Sequence, residues 1–347
     1  MKFYNIQHQY YCGIDLHARS LYVCILDRNG NALLHKECSA KPESLKQIIE
    51  PWLDDLVIGV ECMHCWYWVA DFCQAHDIAF ILGHALYMRA IHGGKVKNDR
   101  IDSLKIAQLM RGGNFPLAYV YPRQMRATRD LLRRRTHLVR HGANLKAHVA
   151  NTTSQYNLPP NRVNLKNVSA RQQLRHAFPE QSVQQMINLD MAVLECYHHE
   201  LSKIEWYLEQ QAKQHQPVYL SLLRTIPGIG RILALTILYE IGDIARFETV
   251  QQFASYSRLV KCKAESAGKS YGTQGNKIGN AHLKWAFSET AVLYLRGNEK
   301  FQLYLQRLQK RMSKAKALSA LAYKLGRAAF FMLKNKTVFD EQRFLAV

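Results

Sequence analysis

Short apolar runs alternate with amphipathic segments over the first third of the chain. Residues 11–27 predict two strands separated by a short break, and an Asn-Gly pair at 29–30 gives a strong hairpin signal before a third strand. The continuous apolar runs at 56–62 and 78–84 are typical of strands buried on both faces, with a helix expected between them at 65–77. Three strands in hairpin order, followed by alternating helix and strand, predict a mixed α/β sheet.

Two long amphipathic helices are predicted in the middle of the chain. A stretch with two prolines at 114–122 predicts a linker, after which leucine and valine recur along one side of a helix. A second apolar stripe runs through 181–215, and the polar residues 151–180 between the two helices predict a connector. We therefore expect an α/β domain over 1–122 and a helical region over 123–217.

The remainder of the chain, 218–347, is expected to be a mostly helical domain, so that the fold class is α/β plus all-α. An apolar helical pattern breaks at a Pro-Gly-Ile-Gly sequence, residues 227–230, and then resumes. This pattern resembles a helix-hairpin-helix, in which glycines let backbone N–H groups approach a nucleic-acid phosphate. An ordinary helical hairpin without a ligand is the alternative. Arg224 and Arg231 flank the turn and favour the phosphate contact.

The charge of the chain narrows the class of partner. Lysine and arginine total 47 against 27 aspartate and glutamate, a net charge of +20 over 347 residues. An excess of this size indicates a polyanionic partner, and nucleic acid is the usual one. No apolar run reaches the ~18 residues that span a bilayer, and the first residues lack the apolar core of a signal peptide. We therefore expect a cytoplasmic protein without a membrane partner.

Four acidic residues form the strongest candidate for chemistry in the first region. Asp99 and Asp102 lie three residues apart at the start of a predicted helix, so their carboxylates face the same way, as a hard cation such as Mg²⁺ requires. Asp15 and Glu61 occur on strands that are otherwise apolar, where a carboxylate without a partner is costly. Capped or surface acids are the alternative for each residue alone. Together they would repel one another unless a cation neutralised them, so we predict a Mg²⁺ site, with Mn²⁺ as a substitute.

Basic residues form a second group of candidates. The helix that follows the predicted linker is rich in arginine and histidine, and Asp130 is its only acid. Nothing nearby in the sequence offsets this repulsion, which favours a track for phosphates over a merely solvated face. The candidate nucleic-acid-binding residues of the whole chain are Lys95, Lys97, Arg133, Arg134, Arg135, Arg140, Gly228, Gly230, Arg231, Lys263, Lys269 and Lys277.

Two stretches carry a family resemblance. The order Gly-Ile-Asp, Val-Glu-Cys and Lys-Asn-Asp-Arg-Ile-Asp contains the four acids and resembles the DEDD motif of a RuvC-like nuclease domain. The stretch HGGKVKNDRIDSLKIAQL resembles, more narrowly, the DEDD insertion-sequence transposases, also called bridge-RNA-guided recombinases. ESAGK and KIGNAHLKWAFSE resemble the C-terminal transposase domain of the same family. The resemblance implies a RuvC-like, RNase H-like first domain, a coiled-coil arm and a C-terminal domain that carries a serine nucleophile.

The resemblance also implies a reaction and its partners. By position, the nucleophile is Ser266, which would form a covalent phosphoserine link to DNA. Ser270 is the alternative nucleophile. Some relatives also carry two serines side by side where this chain has Ser266 and Ala267. The implied partners are element-end DNA, target DNA, a structured guide RNA that pairs with both, and further copies of the chain in a dimer or tetramer. The implied location is the bacterial cytoplasm, at the nucleoid during the reaction.

Two other functions fit part of the pattern. A metal-dependent, structure-specific nuclease would use water as its nucleophile and leave Ser266 without a role. A nucleic-acid-binding scaffold without enzymatic activity would bind in a salt-sensitive way even without the four acids. Neither alternative explains both stretches at once, so the sequence favours a DNA transposase.

Overall fold

The computed structural model describes residues 2–92, 98–158, 168–175, 177–267, 269–274 and 278–345. The chain divides into two compact units, Met1–Arg123 and Gln124–Val347. Among the described residues, we find no helix with both the length and the apolar character needed to cross a membrane.

A mixed sheet of seven strands forms the centre of the first unit. Three neighbouring strands run parallel, and the others pair antiparallel. This confirms the predicted mixed sheet and is consistent with a RuvC-like α/β fold. The strands, in their order across the sheet, are β1 (Phe3–Tyr4), β7 (Phe115–Ala118), β6 (Ala79–Gly83), β5 (Leu56–Glu61), β2 (Tyr10–Leu16), β3 (Ser20–Asp27) and β4 (Ala32–Ser39).

The stretch at 114–122 is not simply a linker, and that prediction is wrong. It contains β7, which pairs antiparallel with both β1 and β6. Pro116 is tolerated there because its partner β1 is only two residues long, and its carbonyl still accepts a hydrogen bond from the His84 N–H at 2.8 Å. Pro116 therefore lies within a strand near the edge of the sheet, whereas Pro122 lies beyond its end.

Four helices and one 3₁₀ segment complete the first unit. They are α1 (Pro42–Ile49), the 3₁₀ segment Glu50–Asp55, α2 (Tyr67–Ala75), α3 (Ala85–His92) and α4 (Asp99–Arg111). Helix α4 packs against β2, β3 and β5. Its apolar side, including Ile106, Ala107 and Met110, is buried against the sheet, as the spacing of these residues predicts.

Two glycines let α4 lie unusually close to the sheet. Gly13 and Gly59 are direct neighbours in the parallel register of β2 and β5. A Cβ atom at position 13 would collide with the Ser103 carbonyl oxygen and lie 2.5 Å from the Ala107 nitrogen. A Cβ atom at position 59 would collide with the Met110 sulfur. The absence of both side chains therefore determines how deeply the helix packs.

The second unit is mostly helical over its described residues and contains one hairpin. Its core gathers residues from α8 to α14 together with the near ends of the long helices α5 and α7. A smaller core, which includes Phe178, Ile187 and Met191, joins α5 to α6 and α7 further along the arm. The elements are α5 (Arg123–Gln155), α6 (Val168–Arg175), α7 (Gln181–His215), α8 (Pro217–Arg224), α9 (Arg231–Ile241), the 3₁₀ segment Ile244–Arg246, α10 (Val250–Tyr256), β8 (Cys262–Ser266), β9 (Lys269–Gln274), α11 (Ala281–Tyr294), α12 (Glu299–Gln309), α13 (Lys314–Asn335) and α14 (Glu341–Leu345).

Candidate metal centre and serine hairpin

The four predicted acids lie at the carboxyl ends of two neighbouring strands and in the first turn of α4, and among them Asp15 and Asp99 come within 4.8 Å of one another. Asp15 is the penultimate residue of β2 and Glu61 is the last residue of β5. The parallel register pairs Ile14 with Val60, so that the two acids follow directly on neighbouring strands. Positions 13 and 59 face α4, and the two-residue period of a strand directs positions 15 and 61 to the same face. The first turn of α4 carries the remaining two acids and runs back toward these strand ends.

The N-terminus of α4 leaves the Asp99 carboxylate available. Asn98 is the N-cap residue, and its side-chain oxygen accepts a hydrogen bond from the Arg100 N–H at 2.9 Å. Asp99 is therefore the first helical residue, and 52% of its side chain is exposed. Asp102, one turn on, lies 3.5 Å from the Lys105 ammonium. Asn98, and not Asp99, therefore caps the N-terminus of this helix.

A histidine that the sequence analysis missed completes the cluster. His17 Nε2 lies 3.5 Å from an Asp15 carboxylate oxygen and 3.3 Å from an Asp99 carboxylate oxygen. One ligand atom from each of the three residues lies within 4.8 Å of the others. His17 follows Asp15 by two positions, so strand periodicity puts both on the same side. This two-residue spacing is a signal in the sequence. However, His17 lies just beyond the end of β2, where strand periodicity is a weaker guide.

The electrostatics of this cluster favour a bound cation. Burial raises the pKa of the Asp15 carboxyl above its ordinary value; the nearby His17 lowers it, and the charges of Asp99 and Asp102 raise it further. A group of like charges held this closely is stabilised by a divalent ion between them. Carboxylate oxygens are the ligands that Mg²⁺ and Mn²⁺ prefer, and His17 lies where it can orient two of them. The residues present therefore fit a hard divalent cation.

The candidate nucleophile lies at the tip of a hairpin. Ser266 ends β8 and pairs with Lys269, the first residue of β9. Glu265 pairs with Ser270 one step further from the tip. Ala267, in the turn, has a φ of 50°, in the left-handed region. The segment that carries both candidate serines is thus a two-stranded hairpin, in which Ser266 is nearer the tip than Ser270.

Several predicted nucleic-acid-binding residues are instead held in internal ion pairs. Arg133 bonds Glu240 of α9 at 2.7 Å, and Arg135 bonds Glu205 of α7 at 2.6 Å. Arg231 also bonds Glu205, at 2.5 Å. The premise that nothing offsets the positive charge of this helix is therefore wrong, because glutamates from α7 and α9 lie against it. The partners of the two α5 arginines are 70 and 107 positions away in sequence, and that of Arg231 is 26 positions away, beyond the reach of a local pattern.

The other basic candidates differ in what the structure says of them. Arg134 and Arg140 are exposed on α5, and Lys269 is exposed at the hairpin tip. Lys263 lies on β8, with Thr273 as its backbone partner on β9. Lys95, Lys97 and Lys277 lie outside the described residues.

In the turn between α8 and α9, packing within the protein accounts for one of the two glycines. The helices end and begin at Arg224 and Arg231, so the predicted break is confirmed. Gly228 has a φ of 86°, and a Cβ atom there would lie 2.8 Å from the Tyr294 nitrogen of α11. Gly230 is the N-cap residue of α9 and faces open space. Packing therefore requires Gly228, whereas only Gly230 leaves room for an external group.

Comparisons with known proteins agree with this fold and site. Residues 12–158 match the family model of IS110-type DEDD transposases, and residues 220–306 match the model described as the transposase IS116/IS110/IS902 family. The first match spans all four acids, and the second spans the serine hairpin. Together they define a DEDD transposase. The chain belongs to the IS110 type of this family.

Similar proteins include three from different bacteria. The y4qE protein of Sinorhizobium fredii, named as a candidate transposase, is 25% identical over 58% of this chain and 49% of its own length. An uncharacterized 43.6 kDa protein of insertion element IS110 from Streptomyces coelicolor is 27% identical over 35% of this chain and 30% of its own. The pilin gene-inverting protein of Moraxella bovis is 30% identical over 35% and 39%. The matches thus span about half or less of each relative.

Proposed function

We propose that this protein is the transposase of an insertion sequence, which cleaves and exchanges DNA strands with the help of a divalent cation and a covalent phosphoserine intermediate. The observation that carries this proposal is the convergence of Asp15, His17 and Asp99 within 4.8 Å in a chain of the IS110 family. The name of the Moraxella relative, a gene-inverting protein, also denotes rearrangement of DNA.

The acids of the first unit are proposed to hold the cation. Asp15, Glu61, Asp99 and Asp102 are the carboxylate ligands, and Mg²⁺ is the proposed ion, with Mn²⁺ as a substitute. When bound, the ion supplies charge stabilisation at a phosphate group. His17 lies against two of these carboxylates and would orient them. Partial burial of Asp15 supports this role, because it removes water that would otherwise compete for the ligand.

Ser266 is proposed to be the nucleophile. Its hydroxyl oxygen attacks the phosphorus of a phosphodiester and loses its proton, while the bond from phosphorus to the deoxyribose oxygen breaks and that oxygen takes up a proton. One P–O bond forms for each that breaks, so a DNA hydroxyl can later reverse the step and join a new strand without another energy source. The position of Ser266 at a hairpin tip, paired with Lys269, supports this assignment over Ser270.

DNA ends, target DNA and a structured guide RNA are the proposed partners of a dimer or tetramer. The net charge of +20 and the exposed Arg134 and Arg140 on α5 support binding to nucleic-acid backbones. Contacts to phosphates orient a duplex without reading its sequence. Selection of the DNA would then depend on base pairing with the guide RNA, as the family resemblance implies.

A metal-dependent nuclease that uses water is the second candidate. The acid cluster alone favours it, because carboxylate-bound cations activate water in many nucleases. In that case Ser266 would be only a turn residue of the hairpin.

Trapping of the covalent intermediate separates the two candidates. The full chain is incubated with element-end DNA, the adjacent noncoding RNA and Mg²⁺, then denatured, and the protein-linked DNA is located by mass spectrometry. We expect an adduct on Ser266 that is lost in Ser266→Ala and in Asp15→Asn but retained in Ser270→Ala. The matched control is Ser255→Ala, an exposed serine of α10. Cleavage without an adduct, unchanged in Ser266→Ala, would establish the nuclease.

A further inference from the structure

An imidazole from the edge of the sheet holds the first turn of α4. His35 lies on β4, the outermost strand on that side. Its Nε2 donates a hydrogen bond to the Arg100 carbonyl oxygen at 2.8 Å and lies 3.3 Å from the Ser103 hydroxyl oxygen. The Ser103 hydroxyl itself donates to the Arg100 carbonyl at 3.0 Å. Two side chains therefore donate to one backbone carbonyl and also lie against each other.

The position of this carbonyl within α4 makes the contact relevant to the acids. Arg100 lies between Asp99 and Asp102, in the turn that carries both carboxylates. Helix ends fray unless they are held, because their first N–H groups lack partners within the helix. On the sheet side, Gly13 lies against the Ser103 carbonyl. The turn is thus held from two directions, by the backbone of β2 and by the side chain of His35.

The same imidazole is also connected to the acid on the sheet. Tyr22 is the register partner of Asp15 in the antiparallel pair of β2 and β3. The Tyr22 ring meets the His35 ring edge to face, with centroids 5.3 Å apart. A backbone register pair and a ring contact therefore link the strand position of Asp15, through Tyr22 and His35, to the helix turn that carries Asp99 and Asp102.

We propose that His35 is a positioning residue of the acid cluster. By fixing the first turn of α4 relative to β2, it sets the separation of Asp99 and Asp102 from Asp15 and so determines the affinity for a divalent cation. His35 does not touch the cation. This inference rests on the proposed metal site, and it adds a residue to which no metal-binding role has been assigned. Residues that orient metal ligands typically change affinity by roughly 10–100-fold when they are removed.

The test measures Mn²⁺ binding to the full chain without nucleic acid, by the loss of the electron paramagnetic resonance signal of free Mn²⁺. We expect His35→Leu to raise the Mn²⁺ dissociation constant by about tenfold or more. His35→Gln should restore much of the affinity, because its terminal amide N–H reaches about as far as Nε2. The matched control is His76→Leu, which removes a similar bond from imidazole Nδ1 to the Phe72 carbonyl, 2.9 Å, on α2, a helix without any of the four acids.

The outcomes distinguish this inference from the metal site itself. Equal Mn²⁺ affinity in the parent protein and His35→Leu would overturn the positioning role while leaving the metal site intact. If the parent binds Mn²⁺ no better than Asp15→Asn does, the proposed metal site fails instead. If His35→Leu does not fold, Ser103→Ala removes the other donor to the same carbonyl with little change in volume. Unchanged affinity in Ser103→Ala would then count against the inference.

Discussion

Two acidic sites in this protein are built in opposite ways. Glu240 of α9 is only 1% exposed, yet Arg129, Arg133 and Asn280 all donate to its carboxylate, at 2.7 to 3.2 Å. Burial raises its pKa, but the hydrogen bond from Arg133 and the charges of both arginines outweigh burial and lower the pKa to about 2. Asp15 of β2 is less buried, but burial and its acidic neighbours raise its pKa, and His17 only partly opposes them.

The comparison teaches which acid is available for chemistry. The donors around Glu240 satisfy its charge, so it has a structural role in joining α5, α9 and the N-terminus of α11. Among the described residues, the acids of the Asp15 cluster contact His17 and Lys105 but also repel one another, and a carboxyl whose pKa is shifted in this way is typical of functional sites. A buried carboxylate is thus informative only together with its partners, which the following predictions test.

The largest expected effect is on stability. Glu240→Leu removes the buried carboxylate to which both Arg129 and Arg133 donate, and we expect it to lower the free energy of unfolding by about 3–5 kcal/mol. Urea-induced unfolding of the full chain measures this change. Glu209→Leu is the matched control, because the Glu209 carboxylate is more exposed than that of Glu240 and pairs with Arg224 at 2.8 Å, and its loss should cost about 1 kcal/mol or less. Equal losses in the two variants would contradict the structural role of Glu240.

Lowering the pH should distinguish Glu240 from Asp15 without a mutation. Because the pKa of Glu240 is about 2 in the folded protein against an ordinary 4.5, its stabilising contribution is present above 4.5 and lost as the pH falls toward 2. Glu240→Gln should remove roughly 3 kcal/mol of this pH dependence. For Asp15 the sign is reversed, since its raised pKa means that protonation favours the folded state. The measurement is urea unfolding at a series of pH values, and an unchanged slope in Glu240→Gln would contradict the pairing.

The cation should stabilise the first unit only when its ligands are intact. At an Mg²⁺ concentration 100 times the dissociation constant, the parent should gain about 2.7 kcal/mol. Asp15→Asn should gain almost nothing, yet should be at least as stable as the parent without Mg²⁺, because it relieves repulsion from Asp99 and Asp102. Thermal unfolding with and without Mg²⁺ tests both statements. A variant that is destabilised without metal would indicate that Asp15 is structural, like Glu240.

Close packing of α4 gives a smaller expected effect. Gly13→Ala adds a methyl group where the Ser103 carbonyl already lies, and we expect a loss of about 1–3 kcal/mol together with weaker Mn²⁺ binding. Gly297→Ala is a useful comparison, since Gly297 has a φ of 69°, in the left-handed region, but faces open space. Backbone strain should lower stability in Gly297→Ala, whereas only Gly13→Ala should also change Mn²⁺ affinity in a direct titration.

The smallest effect extends the comparison to cationic residues. Arg140→Gln should weaken binding to duplex DNA only a few-fold and reduce the slope of log affinity against log salt by about 1. Arg135→Gln should leave that slope nearly unchanged, because Glu205 already holds the Arg135 guanidinium at 2.6 Å. Fluorescence anisotropy over a salt series measures both slopes. The assignment is reversed if Arg135→Gln changes the slope and Arg140→Gln does not.

The positions of the acids in the fold follow from local sequence patterns more directly than those of the cations, for a physical reason. Asp15 and Glu61 interrupt apolar strands, and Asp99 and Asp102 are spaced by one helical turn, so local rules place each acid near a strand end or in the first turn of α4. Arg133 has its partner 107 positions away. Its ion pair with Glu240 depends on how α5 packs in the folded protein, and no local sequence pattern gives that packing.

Other features of the site were also beyond the sequence. His17 lies just after the end of β2, where the chain turns and strand periodicity no longer applies with certainty. His35 is separated from the Arg100 carbonyl by 65 positions, so only the folded sheet brings the two together. The sequence predicts a linker at β7 because proline is typical of irregular structure. The structure has a strand there, since its edge partner β1 is short enough to tolerate Pro116.

The glycine at position 13 has a consequence for how reproducibly the acids are arranged. At that point the atoms nearest to β2 are the Ser103 oxygen and the Ala107 nitrogen and Cα, all of them main-chain atoms. Side chains in a core hop among rotamers and differ from moment to moment, whereas hydrogen-bonded backbone varies far less. Because main chain packs against main chain here, rotamer changes have little effect on the distance between Asp99 and Asp15. Many neutral substitutions elsewhere in the core should also leave this distance unchanged. The acid cluster can therefore keep one geometry while the surrounding sequence drifts.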